Sequence, residues 1–408
     1  MKETRKWQFV VLLCVSLTGL GQAGELWIQS FDGTGLLTFG ALSDGTNYYY
    51  RVEGVSDLSG TWGSVPVAGA FLDNIWAEQG SSVTCSVAGD GLFILGEPRF
   101  YRVAVASVRR DYLVVDLSGG ASAASYPVTY CNTLGDLPGG ASNVLYRTTK
   151  LLLRLIPKGT FVMGSPAGEL GRKSEEASHR VTLTQDLYVC LFEVTQKQWE
   201  RVMGTWPSYF NNVSYRDTRP VEQVSYNDVR GSGSGTNWPA SSSVDAASFM
   251  GKLRTRTGKS FDLPTESQWE YACRAGTATA LNIGTNLMSA TSDESMAEAG
   301  RYYYNGGSGF SQSGNASAGT ALDASYRPNR WGFYDMHGNV YEWCLDWYGA
   351  YPGTVSDPKG ALASSYRVVR GGSWYEYSGL CRSASRYYYV PSSDSVYVGF
   401  RAVLPVSP

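Results

Sequence analysis

The chain has 408 residues, of which 34 are basic and 36 are acidic. This balance excludes the charge excess typical of proteins that bind nucleic acid or an anionic membrane surface. Only 17% of the residues are charged, whereas 47 are glycine and 28 are tyrosine, which favours a loop-rich protein of strands over a helical bundle. After the N-terminal segment, no stretch is long and apolar enough to predict a membrane span.

Residues 1–23 have the pattern of an export signal. Lys2, Arg5 and Lys6 precede an apolar run over 9–20, and small residues follow it, which predicts cleavage after Ala23. A short N-terminal anchor is the alternative. The sequence therefore predicts a protein that is secreted, periplasmic or held at the cell surface.

The cysteines suit an oxidising compartment. Cleavage would remove Cys14 from the seven cysteines and leave an even number, which permits up to three disulfides. Those remaining are Cys85, Cys131, Cys190, Cys273, Cys344 and Cys381. No two of them have CxxC spacing, so a structural zinc site is not predicted. The two histidines, His179 and His337, are too few for a site with three histidine ligands.

Residues 25–107 contain no group that suggests catalysis. Over residues 25–107, β-branched and aromatic runs alternate with clusters of Gly, Ser, Asn and Asp, a pattern that predicts a small module resembling a β-sandwich. Residues 108–148 contain two glycine-rich turns and are predicted to form a connector.

The remaining residues, 149–408, are predicted to form an α+β domain with strands first and three helices after them. Thr195 with Gln198 forms a capping box that begins the first helix, which Gly204 ends. The second is predicted over 243–256. Thr265 with Gln268 begins the third, which ends near Gly276.

A series of short motifs runs through the same domain in a fixed order. They occupy residues 159–165, 192–196, 220–225, 263–272, 328–336, 337–343, 370–374, 381–384 and 399–401. One such motif would be weak, but the whole set is specific. Over residues 149–405 the chain resembles the formylglycine-generating enzymes, also called sulfatase-modifying factors. The resemblance implies a mixed α+β fold related to C-type lectins.

The resemblance also tells where the family's oxidase chemistry would lie. Its enzymes oxidise a sulfatase cysteine with oxygen and a copper ion held by two cysteines, because thiolates are suitable ligands for Cu(I). The resemblance places these two cysteines between the Gly-Gly-Ser motif, residues 371–373, and Cys381. Residues 374–380 contain no cysteine, so we predict that copper is not bound there.

Two further features are implied by the resemblance. A calcium loop would use the side chains of Asp335 and Glu342 and the carbonyl groups of Gly338 and Val340, which are hard oxygen ligands. The alternative is that the two carboxylates cap local backbone groups. A disulfide would join Cys273 to Cys381, with two buried free thiols as the alternative.

Aromatic residues are concentrated in the region that forms the substrate groove of the family. The candidates for ligand contact are Trp374, Tyr375, Tyr377, Tyr387 and Tyr388. Core packing would explain about half of such residues, but tyrosine also gives contact area at low entropic cost. We predict a non-oxidase that binds an extracellular peptide, protein or glycan. The alternative is a sulfatase activator, or another oxidoreductase of the family, with an altered site.

Overall fold

The computed structural model describes residues 110–306 and 319–406, and before them only the backbone of the strands between 27 and 108. The predicted export signal, residues 1–23, lies outside the described residues. The chain divides into two compact units, Met1–Arg110 and Asp111–Pro408. No helix among the described residues has the length and apolar character that a membrane span requires.

The first unit contains short antiparallel strands. β1 pairs with β2 and β2 with β8, while β3 pairs with β4, β7 and β9, and β5 with β6. The strands are β1 (Trp27–Phe31), β2 (Leu36–Gly40), β3 (Tyr48–Val55), β4 (Gly63–Ser64), β5 (Pro66–Val67), β6 (Ala70–Phe71), β7 (Ile75–Ala77), β8 (Ser82–Ser86) and β9 (Phe100–Val108).

The second unit mixes strands with short helices. Its strands are β10 (Tyr112–Asp116), β11 (Val128–Cys131), β12 (Lys150–Ile156), β13 (Gly159–Met163), β14 (His179–Leu183), β15 (Leu187–Cys190), β16 (Tyr341–Trp347), β17 (Val355–Ser356), β18 (Arg367–Arg370), β19 (Arg386–Tyr389), β20 (Val398–Gly399) and β21 (Val403–Pro405). Its α-helices are α1 (Gln196–Met203), α2 (Tyr226–Arg230), α3 (Phe249–Thr257), α4 (Glu266–Arg274) and α5 (Glu294–Ala299).

A five-stranded antiparallel sheet, in the order β11-β10-β12-β15-β21, separates two hydrophobic cores. Leu113 and Val115 of β10 pack into one core, whereas Tyr112 and Val114 pack into the other. Successive side chains of a strand point to opposite faces. A strand buried on both faces therefore has a continuous apolar sequence, as in Leu151–Leu153 of β12.

The predicted connector, residues 108–148, lies mostly in the second compact unit, which begins at Asp111. β10 lies between β11 and β12 and is hydrogen-bonded to both. The turns after it are also fixed, because the hydroxyl of Tyr126 lies within hydrogen-bond distance of the carbonyl oxygens of Gly120 and Arg201, at 3.1 and 2.8 Å. Turn composition alone did not reveal this packing.

The two helices predicted from capping boxes begin where expected. Thr195 caps α1 and Thr265 caps α4, and Gly204 ends α1 in the left-handed conformation at a φ of 81°. α3 begins later than predicted because Ser248 is its N-cap. Asp245, inside the predicted helix, instead accepts a hydrogen bond from the amide of Gly233.

A four-stranded sheet, in the order β19-β18-β16-β20, carries the C-terminal motifs. β16 is paired antiparallel with β18 and parallel with β20, which places Glu342 beside both Arg370 and Gly399. β19 lies at the edge. A smaller sheet pairs β13 with β14 and β14 with β17.

Candidate functional site

The motifs identified in the sequence are joined to one another by buried ion pairs. On α4, Glu270 is paired with Arg370 of β18 and, at 2.8 Å, with Arg274. One turn earlier, Glu266 accepts two hydrogen bonds from Arg386, at 2.6 and 2.8 Å. These two carboxylates therefore hold α4 against the sheet. Because both are paired with arginines, neither is free to act as a general acid or base.

A second buried pair involves one of the predicted calcium ligands. Both oxygens of Glu342 lie 2.6 Å from nitrogens of Arg401, and one also accepts a hydrogen bond from the indole of Trp269 at 2.7 Å. The Glu342 side chain therefore joins the motif that contains Trp269 to the motif that contains Arg401.

Three other carboxylates, those of Glu193, Asp323 and Asp335, meet in the interior and are called the acidic trio below. One oxygen from each lies within 4.8 Å of the others, and all three residues are buried. Glu193 accepts hydrogen bonds from the side chain of Asn339 and the amide of Val340. The trio joins the turn after β15 to the loop of the predicted calcium site.

The trio has unsatisfied oxygens. Both carboxylate oxygens of Asp323 and one of Asp335 have no hydrogen-bond partner among the described residues, although these residues are only 1% and 2% exposed. Asp335 also has a φ of 56°, a conformation uncommon for residues other than glycine. A buried carboxylate without a partner is costly, so a cation at this position fits the residues present.

The pKa values of all three carboxyl groups of the trio are raised. Burial, and then the neighbouring carboxylates, raise the pKa of Glu193 and of Asp323 well above their ordinary values. Burial raises that of Asp335 to about 6. Like charges in an interior disfavour ionisation, and either protons or a cation relieve the repulsion.

Of the four predicted calcium ligands, the structure brings only Asp335 into the trio. Gly338 and Val340 lie on the same loop, where Gly338 donates to Gly371 and Val340 to Glu193. Sequence analysis missed Glu193 and Asp323. A signal for Glu193 existed, because it is a single carboxylate within the apolar run Leu191–Val194.

The cysteines in the described residues are free and buried, namely Cys131, Cys190, Cys273, Cys344 and Cys381. The predicted disulfide between Cys273 and Cys381 is not formed in the structure. Instead the Cys273 sulfur lies 3.8 Å from the carbonyl oxygen of Met336, and the Cys381 sulfur lies 3.9 Å from that of Ser373. Burial raises the pKa of Cys273 to about 12.

An exposed aromatic surface lies beside the interval where the resemblance places the copper ligands. The first tyrosine cluster comprises Tyr303, Tyr304, Tyr375, Tyr377 and Tyr397, whose ring centroids lie 5.2–5.9 Å apart in successive contacts. Tyr304 is 52% exposed and Tyr377 46%. Trp374, in contrast, is fully buried beneath Tyr375 and Tyr397, so it supports this surface and does not form it.

The second tyrosine cluster, Tyr348, Tyr366, Tyr387, Tyr388 and Tyr389, includes three residues of β19. Tyr388 contacts Tyr348 at 4.6 Å, Tyr366 at 4.7 Å and Tyr387 at 5.3 Å. Tyr366, Tyr387 and Tyr388 are exposed. The predicted residues Tyr375 and Tyr377 therefore lie in one cluster, and Tyr387 and Tyr388 lie in the other.

Glu376, which stands between Tyr375 and Tyr377 in the sequence, acts electrostatically on tyrosines of both clusters. Its negative charge contributes, after burial, to raising the pKa of Tyr389 in the second cluster and of Tyr397 in the first. It also acts on Tyr341, which stacks on Tyr387 at 5.5 Å. Sequence analysis missed Glu376, although it is the one charged residue between Trp374 and Cys381.

Beneath Trp374, a buried carboxylate fixes the loop that holds Phe210. The Phe210 ring lies 5.1 Å from that of Trp374, and its amide donates to Glu222 at 2.8 Å. The other oxygen of Glu222 has no hydrogen-bond partner among the described residues. Burial raises the pKa of Glu222 to about 8, so it holds a proton at neutral pH.

This proton predicts a pH dependence of stability. Because the folded-state pKa of Glu222 exceeds its unfolded value, the stabilisation is complete below the ordinary pKa and is lost as pH rises through about 8. Glu222→Gln keeps an acceptor for Phe210 and cannot ionise. We expect its free energy of unfolding, measured in urea, to exceed that of the wild type by a few kcal/mol at about pH 9 and to match it near pH 5.

The matched control is Glu298→Gln, which changes an exposed carboxylate on α5. It should follow the wild type at every pH. Other buried acids such as Asp346, whose pKa burial raises to about 8, titrate in all three proteins and cancel in the comparison. If the difference in free energy of unfolding between Glu222→Gln and the wild type is the same near pH 5 and at about pH 9, Glu222 is already ionised at the lower pH.

The fold and its motif network define a mixed α/β domain in which arginine–carboxylate pairs join distant motifs. The family described as "Sulfatase-modifying factor enzyme 1-like domain" matches residues 147–406, and the chain belongs to this family. The resemblance found in the sequence is thereby confirmed.

Named relatives differ in their descriptions. A formylglycine-generating enzyme of Streptomyces coelicolor is 35% identical over 214 residues, which cover 50% of this chain and 57% of the relative. The serine/threonine-protein kinase pkn1 of Chlamydia pneumoniae is 31% identical over 263 residues, 60% of this chain but 37% of the kinase. The solved structure of PvdO from Pseudomonas aeruginosa is 25% identical, with a TM-score of 0.49, and covers 63% of this chain and 95% of that one.

Proposed function

We propose that this chain is a secreted, non-oxidase member of the family that binds an extracellular peptide, protein or glycan through the surface formed by the two tyrosine clusters. The observation that carries the proposal is the content of residues 374–380. Where the resemblance places two copper-binding cysteines, the chain has Glu376 between exposed tyrosines. A C-type-lectin-related domain with a β-sandwich-like module before it is part of the same proposal.

The chemistry of the described cysteines supports a non-oxidase function. Copper binding requires thiolates that a metal can reach. Burial instead raises the pKa of Cys190 and of Cys273 to about 12, and it raises the pKa of Cys344 well above its ordinary value. A neutral, buried thiol is a poor ligand for a redox metal.

The exposed tyrosines support a binding function. Tyr304, Tyr375 and Tyr377 present large rings on one surface, and their contacts with each other and with buried Trp374 limit their rotamers. Rings that are already ordered lose little entropy when a ligand binds. Exposed large side chains in contact with one another are also typical of interaction sites.

Calcium is the cofactor in this proposal, bound by the carboxylates of Glu193, Asp323 and Asp335. Hard carboxylate oxygens suit Ca²⁺, and three of the trio's oxygens have no other partner among the described residues. An ion there would stabilise the loop that carries Asp335 and Asn339. The ion would have a structural role, because the three carboxylates are buried.

The first test is an oxidation assay. The purified full chain, supplied with copper and oxygen, is incubated with a peptide that contains the sulfatase motif Cys-x-Pro-x-Arg, and mass spectrometry follows the cysteine. We expect the peptide to remain unmodified, whereas the Streptomyces coelicolor enzyme should convert it. Formylglycine in the peptide would refute the proposal and favour the alternative of an oxidase or sulfatase activator, which the similarity to that enzyme supports.

The second test measures binding to arrays of peptides and glycans. A double variant, Tyr375→Ala with Tyr377→Ala, removes two exposed rings. It should lower the affinity for any ligand found on the arrays by about tenfold or more. Leu362→Ala is the control, because Leu362 is 87% exposed and lies outside both clusters. Equal binding by all three proteins would place the ligand elsewhere on the chain.

A further inference from the structure

Asn339 is hydrogen-bonded both to the acidic trio and to the segments that carry the first tyrosine cluster. The residue is fully buried, and its side-chain amide donates to the carboxylate of Glu193 at 2.5 Å. Its φ is 57°, a conformation that asparagine adopts more readily than most residues. The side chain of Asn339 is therefore directed to the trio, while its two peptide groups contact other parts of the chain.

The backbone of Asn339 anchors both halves of the first tyrosine cluster. Its amide donates to the carbonyl oxygen of Arg301 at 2.8 Å, two residues before Tyr303. Its carbonyl oxygen accepts a hydrogen bond from the amide of Trp374 at 2.8 Å, one residue before Tyr375. The two segments that supply the tyrosines are thus each held at their base by this one residue.

These two segments also contact each other through their backbones and rings. The amide of Tyr303 donates to the carbonyl oxygen of Glu376 at 2.9 Å. The Tyr303 ring lies 5.4 Å from the ring of Tyr375 and 5.4 Å from that of Tyr377. The arrangement of the exposed rings therefore depends on where the two segments are held.

The trio exerts its effect on Asn339 through two connections. Glu193 is one partner of the side chain, and the side-chain oxygen of Asn339 accepts a hydrogen bond from the amide of Ala321 at 2.8 Å, two residues before Asp323. Both oxygens of Asp323 lack a hydrogen-bond partner among the described residues, although Asp323 is buried. Three such carboxylates repel one another unless a cation lies between them.

We propose that a calcium ion bound by the trio fixes Asn339 and thereby orders the first tyrosine cluster, so that ligand binding there depends on calcium. This inference rests on the proposed function and names the regulation of its binding surface. Asn339 acts as a positioning residue, because it is buried and reaches the surface only through the segments it anchors. The second cluster is carried largely by β19, which pairs with β18, and its amides serve as the reference.

The experiment measures amide hydrogen exchange of the full chain by mass spectrometry, with calcium chloride or with a chelator. Short labelling times report local opening and not global unfolding. We expect calcium to slow exchange at the amides of Tyr303 and Trp374 by about tenfold or more, and to change peptides that cover β19 by less than about twofold. Calcium is the only probe, so no ligand has to be known.

Two variants separate calcium binding from the coupling. Asn339→Gly tolerates the positive φ but removes the bond to Glu193. Its Tm should still rise with calcium, whereas exchange at Tyr303 and Trp374 should no longer respond. Asp323→Asn should lose both the rise in Tm and the slower exchange. Asn211→Gly, at an exposed asparagine, should behave as the wild type, and circular dichroism establishes that each variant is folded.

The coupling is wrong if calcium raises the Tm of the wild type without slowing exchange at Tyr303 and Trp374. It is also wrong if Asn339→Gly responds at these amides as the wild type does. If calcium alters neither Tm nor exchange, the cation site and the inference both fail. Formylglycine production in the oxidation assay would refute the binding function without altering the exchange result, so the two failures are distinguishable.

Discussion

Glu270→Gln is expected to destabilise the domain by about 3–5 kcal/mol, because it removes one charge from a buried ion pair. Glu270 is fully buried and is bound by Arg370, by Arg274 and by the amide of Gly164. The variant would leave the buried Arg370 guanidinium with only a more distant carboxylate, that of Glu266 at 3.7 Å. Urea unfolding followed by circular dichroism would measure the loss.

The control for this prediction is a partly exposed ion pair. Asp116 is paired with Lys150 at 2.5 Å, with side chains 29% and 27% exposed, and Asp116→Asn should cost less than about 1 kcal/mol. Equal losses of stability in the two variants would mean that burial does not determine how much each ion pair contributes to stability. A loss near zero for Glu270→Gln would mean that water solvates Arg370.

Calcium is expected to reverse the relative stability of the wild type and Asp323→Asn. In a chelator the variant should be more stable, since it removes one of three mutually repelling carboxylates. With calcium the wild type should gain about 2.7 kcal/mol at a hundredfold excess over the dissociation constant, and the variant should gain much less. Thermal unfolding with and without calcium measures both effects.

Two controls make this result specific. Glu298→Gln, an exposed carboxylate distant in sequence from the trio, should respond to calcium as the wild type does. Magnesium should stabilise less, because it prefers an octahedral shell that retains water. If the chelator has no effect on the wild type, the trio is neutralised by protons and the proposed cation site is wrong.

Features set by neighbouring residues could be predicted from the sequence. Thr195 and Thr265 begin helices through bonds to amides three residues ahead, so their signals are local. The later start of α3 was not predictable, because Ser248 and Asp245 each have capping chemistry and only the approach of Gly233 decides between them. Glycine-rich turns likewise suggested a connector over residues 108–148, although β10 in this segment is packed on both faces.

The candidate sites show the same limit. Asp335 could be found through its motif, but Glu193 and Asp323 are brought to it by the fold from distant parts of the chain. The partner of Glu342 was not foreseeable either, because Arg401 is 59 residues away. Glu376 is visible among the aromatic residues of the sequence, yet its electrostatic effect on Tyr389 of β19 arises only from the fold.

The arginines that neutralise α4 have a consequence for biosynthesis. Glu266 and Glu270 emerge from the ribosome well before Arg370 and Arg386, and β15 finds its neighbour β21 only when Val403–Pro405 have been added. Until then Glu266 and Glu270 lack Arg386 and Arg370, and the edge of β15 that pairs with β21 has no neighbouring strand. Loops this long close slowly, so the domain can assemble fully only after Val403–Pro405 have been synthesised.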